Sequence, residues 1–173
     1  MYENIYSILK LMSSVNLIYG RKKFQKIVQI LQTFGFPFEQ RFVFHLFGPY
    51  SQELQNDIDM MVEDGLLIEN TSSSGAYIYL INKEKAEKVI SYLENNKMVS
   101  TVFPEKGSLI RELNEQEPSF LELISTNIYL NEMGYNNEEI REKIRELKPH
   151  LFDRYDEAVN FIEKLEKKYK KTG

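Results

Sequence analysis

The chain has 173 residues, of which 42% are hydrophobic and 13% aromatic, and a formal charge of −4. That apolar content is enough to bury a core, which excludes global disorder, and no apolar run approaches the ~20 residues a membrane-spanning helix needs. No cysteine is present, which excludes disulfides, thiol catalysis and cysteine-ligated zinc.

Met1–Lys10 lacks the basic region, apolar stretch and cleavage site of an export signal, so the expected location is the cytoplasm. Charge is unevenly spread. Residues 1–50 carry six basic and two acidic side chains, residues 51–70 six acidic and none basic, and residues 101–150 ten acidic and six basic. A locally positive N-terminal part thus precedes an acidic segment.

Along the chain, Ile5, Ile8, Leu9, Met12, Val15 and Tyr19 follow helical spacing and predict a first helix over 2–19. Gly20 interrupts it. A second helix is predicted over 21–34, with Phe24, Ile27, Val28, Leu31 and Phe34 inward and Lys22 and Lys26 on the opposite, solvated face. Arg41–Phe47 is a short aromatic and β-branched run that predicts a strand buried on both faces, turned by Gly48-Pro49. Ser51 is placed to cap a third helix through Asp64, closed by Gly65. Residues 66–70 and 76–81 flank a Ser/Gly tract and read as a hairpin.

A fourth helix over 83–96 follows, with Asn82 as its cap, and then a connector at 97–107. The remainder is helical. A short segment starts near Ser108, and a helix with Pro118 in its first turn stops at Gly134. A charged helix spans 137–147, and a last one is capped by Asp153. The expected fold is therefore mainly α with a small β-hairpin. It comprises a winged-helix-type module at 1–97, a connector at 98–107 and a helical region at 108–173 that packs on the module or mediates oligomerisation. The order helix, helix, strand, helix, hairpin is the winged-helix order, in which the third helix is the usual recognition helix and the hairpin is the wing.

GRKKFQKIVQIL (20–31), FVFHLFGPYSQEL (42–54), LELISTNIYL (121–130) and ELKPHLF (146–152) resemble the uncharacterised bacterial YwgA-like family. The first two stretches are also distantly similar to the Panacea, or SocA-like antitoxin, domain. Neither resemblance implies a catalytic residue. The second implies antitoxin or adaptor roles and hence protein binding, by analogy of fold.

Two constellations could bind a macromolecule. Arg21, Lys22, Lys23 and Lys26 could meet an anion or a nucleic acid at a helix start, where free N–H groups favour negative charge; they could equally form a solvated outer face. The recognition helix offers Gln52, Gln55 and Asn56 but also Glu53, Asp57, Asp59, Glu63 and Asp64, a composition that repels phosphates. Tyr50, Glu53, Asp57 and Asp59 are thus expected to face a protein partner, with DNA binding through the basic face and the wing as the alternative. His45 is expected to be a satisfied strand residue. The run Glu138, Glu139, Glu142 and Glu146 is expected to be a helix surface paired with its own basic residues, as Glu139 with Lys143. No nucleotide-binding loop, nucleophile elbow or metal motif occurs, so no catalytic residue, metal or cofactor is expected. A homodimer could form through helix 2–19 or through Val159, Ile162, Leu165 and Tyr169 of the last helix. The function expected is that of a non-catalytic regulatory or adaptor protein.

Overall fold

The computed structural model describes residues 1–170. Helix α1 (Tyr2–Val15) ends earlier than its apolar spacing predicts. Asn16 adopts a left-handed conformation with φ 65°, and its N–H closes the helix on the Met12 carbonyl, a stop that Asn tolerates better than most side chains. The predicted helical residues Leu17–Tyr19 instead form strand β1. Ile18 is buried either way, so helical and extended spacing were indistinguishable there.

Helix α2 (Arg21–Thr33) follows, then short strands β2 (Val43–His45) and β3 (Gly48–Tyr50), helix α3 (Gln52–Glu63), and the wing strands β4 (Leu67–Thr71) and β5 (Tyr77–Ile81). Helices α4 (Lys83–Asn95), α5 (Gly107–Asn114), α6 (Pro118–Glu132) and α7 (Asn137–Leu147) complete the order with a 3₁₀ turn at Pro149–Arg154 and helix α8 (Tyr155–Tyr169). Strand β1 pairs antiparallel with β5, and β5 with β4, giving a sheet ordered β1-β5-β4. A first strand that follows the first helix and closes on the last strand is the winged-helix connectivity. Here it carries an additional hairpin, β2–β3, inserted ahead of α3.

The predicted caps hold where a side chain fits the role. Ser51 Oγ accepts from Leu54 N at 3.2 Å, and Asn82 accepts from Lys85 N at 3.3 Å. Asn136 and Glu139 form a reciprocal capping box, each bond 2.9 Å. Asp153 does not cap α8. It lies inside the 3₁₀ turn that follows Pro149, and the helix starts two residues later with no side-chain cap.

Helices α2 and α6 are the centre of the molecule. Both are buried on several sides rather than along one stripe, and they pack against each other. Ser125 Oγ on α6 donates to Gln29 Oε1 on α2 at 2.9 Å within this interface. One buried apolar cluster runs from Tyr6 through Phe24, Leu121 and Ile144 to Leu165. The faces named as candidate dimer surfaces are used internally: Ile162 and Leu165 are buried, and Val159 and Tyr169 pack on the same core.

Because the core crosses the connector, urea denaturation is expected to give one cooperative transition rather than two. Leu121→Ala, at a fully buried position, should lower stability by about 2–5 kcal/mol without changing that cooperativity.

Candidate functional site

The basic residues of α2 do not lie on a solvated face. Helix α6 covers the side of α2 that periodicity assigns to water, and Lys26 is only 2% exposed. Its Nζ donates to the Pro49 carbonyl of β3 at 2.5 Å. Lys22 forms an ion pair with Glu122 of α6, a carboxylate that is itself buried. Lys148, buried in the turn after α7, donates to Glu122 Oε1 at 2.7 Å and to the Leu46 carbonyl of the hairpin at 2.6 Å. Lys23 is turned elsewhere, donating to the Asn114 carbonyl at 2.7 Å. Arg21 lies 3.9 Å over the Tyr77 ring, donates to Tyr79 Oη at 3.1 Å and pairs with Glu69 at 3.7 Å. Of the four basic residues expected to act together, only Lys22 and Lys26 converge on Glu122, Arg21 joins them at the cleft above, and Lys23 is at neither.

Electrostatics follow from burial. Desolvation pushes the Lys26 ammonium down to about 7; Glu122 opposes that fall, while Lys22 and Lys148 add to it. Burial alone would raise Glu122, but hydrogen bonds and charge from Lys148 and Lys22 outweigh it and hold the carboxyl below its usual range. Three lysines therefore surround one carboxylate.

Gly48 makes this proximity possible. It has φ +85°, and an added Cβ would lie 2.9 Å from Thr126 Oγ1 and 3.6 Å from Lys26 Nζ. Only a residue without a side chain fits both the backbone and the space. Thr126 Oγ1 is buried there without a hydrogen-bond partner among the described residues.

Above Lys26 opens a cleft of about 460 Å³. Arg21, Lys22 and Lys26 line one side, and His45, Phe47 and Tyr50 bring rings to it from the hairpin. The His45 and Tyr50 rings sit 5.5 Å apart, and Lys22 Nζ lies 5.3 Å from the Phe47 ring centre.

The hairpin itself corrects the expectation of a strand buried on both faces. Val43, Phe44, Leu46 and Phe47 are all exposed, Leu46 at 74% and Phe47 at 58%. Gly48-Pro49 is the start of the return strand rather than the turn. An apolar run that should be buried is instead displayed, because the element is a two-stranded projection with core on one side only. His45 is likewise exposed on it.

On α3, Glu53 accepts the Arg41 amide at 2.9 Å, Asp57 accepts Gln40 Nε2 at 2.8 Å, and Asp59 accepts Gln55 Nε2 at 2.8 Å. Glu53 and Asp57 thus fasten the segment between α2 and the hairpin. Glu53, Asp59, Glu63 and Asp64 remain exposed, Asp57 is half-buried, and no basic residue interrupts them. In α7, Glu139 is committed to its cap, Lys143 lies over the Tyr135 ring rather than paired with Glu139, and Arg145 pairs with Glu142 at 3.0 Å. No cluster that could hold a metal ion occurs among the described residues, and no helix among them is long and apolar enough to cross a membrane.

Sequence reasoning missed Glu122, Thr126 and Lys148. The one available signal was a carboxylate inside LELIST, set within the apolar run Phe120, Leu121, Leu123 and Ile124.

No protein-family profile matches the chain. The uncharacterized protein YwgA of Bacillus subtilis (strain 168) is 32% identical over 161 residues, which span 91% of this chain and 93% of that protein. The chain belongs to the YwgA family. The four stretches that resemble this family contribute Lys22 and Lys26, Gly48 and Pro49, Glu122 and Thr126, and Lys148. Stretches more than a hundred positions apart in this YwgA-family chain therefore meet in one buried cluster.

Folding lowers the Lys26 pKa from 10.5 to about 7, so the folded state binds fewer protons than the unfolded state between those values. Stability should rise from pH 7 towards pH 10.5 in wild type, and that rise should be reduced in Lys26→Met, as read from urea midpoints. Gly48→Ala should destabilise by about 1–3 kcal/mol, through strain at positive φ and the clash with Thr126.

Proposed function

We propose that this protein is a non-catalytic regulatory or adaptor protein that binds a protein partner through the β2–β3 hairpin and the adjoining acidic face of α3. The observation that carries this reading is the hairpin: an ordered projection with four exposed apolar residues in five positions, Val43, Phe44, Leu46 and Phe47. Grouped exposed apolar side chains of this kind mark interaction sites on soluble proteins. The neighbouring exposed carboxylates Glu53, Asp59, Glu63 and Asp64 favour a partner with a hydrophobic recess beside basic residues. Tyr50 joins the two parts, its hydroxyl donating to Gln52 Oε1 at 3.4 Å. Asp57 supports the surface by holding Gln40.

DNA binding is the alternative supported by the winged-helix connectivity, but the cations it would use have other partners. Lys26 is buried, Lys22 pairs with Glu122, Lys23 holds a carbonyl and Arg21 pairs with Glu69. The reading helix offers no positive charge to phosphates.

Two arms test the proposal. Proteins from an extract of the native cell, captured on immobilised wild type, should include a species lost on both Leu46→Asp/Phe47→Asp and Glu53→Lys/Asp59→Lys, with circular dichroism unchanged in each variant. Labelled duplex DNA should show no salt-sensitive rise in anisotropy. Tight DNA binding that weakens steeply with salt, and is lost in Lys22→Glu/Lys23→Glu, would give first place to a transcriptional regulator.

A further inference from the structure

The cluster beneath the cleft carries more positive than negative charge. Lys22 and Lys148 share the single carboxylate of Glu122, and Lys26 is in no ion pair among the described residues. A buried ammonium without a counter-ion is costly, and such groups are ordinarily paired. Lys26 reaches the cleft wall from its buried position, and Lys22 lines the same side. The rings of Phe47, Tyr50 and His45 line it as well, together with the amides of Gln25, Gln52 and Gln55. A cleft of about 460 Å³ is within the size range of small-molecule sites.

We propose that this cleft binds a small planar organic anion: an aromatic or heteroaromatic body, stacked against the hairpin rings, whose carboxylate or phosphate reaches Lys26 and Lys22. The site adjoins the exposed apolar surface assigned to a protein partner and shares Phe47 and Tyr50 with it, whereas Val43, Phe44 and Leu46 do not line the cleft. The anion supplies the negative charge the cluster lacks. A terminal oxyanion is the group that can approach an ammonium so little exposed, and a flat body is the shape the rings accept.

Binding is linked to protonation. The groups around Lys26 and its cleft are Arg21 and Lys22 on its own helix, Glu122 on α6, Lys148 after α7, and His45 and Tyr50 on the hairpin. Burial and the two other lysines depress Lys26, so near pH 7 it is only partly protonated. An anion beside it restores the proton. Complex formation therefore takes up a proton, and affinity falls as pH rises above 7.

The test is calorimetric titration of the whole chain with 1-naphthoate, adenosine monophosphate and inorganic phosphate, in buffers of different ionisation enthalpy. One of the two aromatic anions should bind at least about tenfold more tightly than inorganic phosphate, with proton uptake near pH 7. Lys26→Met should weaken binding by about tenfold or more and abolish the uptake. Phe47→Ala, at an exposed position, should weaken the aromatic anion but not inorganic phosphate, and it keeps the proposal testable if the Lys26 variant does not fold. Absence of binding by either aromatic anion at millimolar concentration would overturn the assignment. So would unchanged affinity in folded Lys26→Met, or binding without proton uptake. Tighter binding of a Glu-rich peptide than of either small anion would also overturn it, and would give the cleft to an acidic protein segment. Failure of Leu46→Asp to affect a captured protein would count only against the partner surface, because Leu46 does not line the cleft.

Discussion

The Glu122 carboxylate ties together parts of the chain that are far apart in sequence. It sits on α6, holds Lys22 of α2 on one side and Lys148 from beyond α7 on the other, and lies within the core contact between the two central helices. Such an ion cluster is not in itself a source of stability, because removing three charges from water costs several kcal/mol per ion before pairing offsets it. What it provides is position. Two lysines of the cluster hold the inserted hairpin: Lys148 donates to the Leu46 carbonyl and Lys26 to that of Pro49. The hairpin is thereby fixed from beneath, and its apolar tip is turned outward.

That arrangement changes what the winged helix has available for recognition. The sheet order and the recognition helix are present, but the cations near the start of α2 are internal bonds, and two of the α3 carboxylates fasten the segment from Gln40 to Arg41. Phe36 and Phe38 anchor the same segment from the other side by edge-on packing with Phe103. On the proposed reading the fold acts as a frame for the inserted hairpin. The groups left exposed are apolar and acidic, a combination suited to a protein surface and poorly suited to a phosphate backbone. The anion cleft lies at the base of the same hairpin, so occupancy there would bear on Phe47 and Tyr50, which contribute to both.

Legibility in the sequence varied by element for identifiable reasons. Ser51, Asn82, Pro118 and Gly134 act through their own backbone or through a neighbour three residues away, so their roles were visible locally. The strand at Leu17–Tyr19 was not, because three residues supply too little periodicity to separate extended from helical spacing. The run RFVFHLF differs from its expectation for another reason: apolar composition predicts burial, whereas this run forms the outer strand and tip of a two-stranded projection and is left exposed.

The sequence alone determined the helical segments, most of their ends, the wing hairpin and the absence of known catalytic motifs, since each depends on contacts within a few residues. Tertiary structure alone decided that Lys26 is a buried amine and not a surface charge. Periodicity assumes that a helix has one face in the core, and α2 has its second face covered by α6, which begins 85 positions after α2 ends. The depressed pKa of Lys26 and the requirement for glycine at 48 follow from that covering, and the cleft from the approach of the hairpin and α3 to α2. They are long-range consequences of packing, and desolvation by a distant segment leaves no mark in the local order of residues.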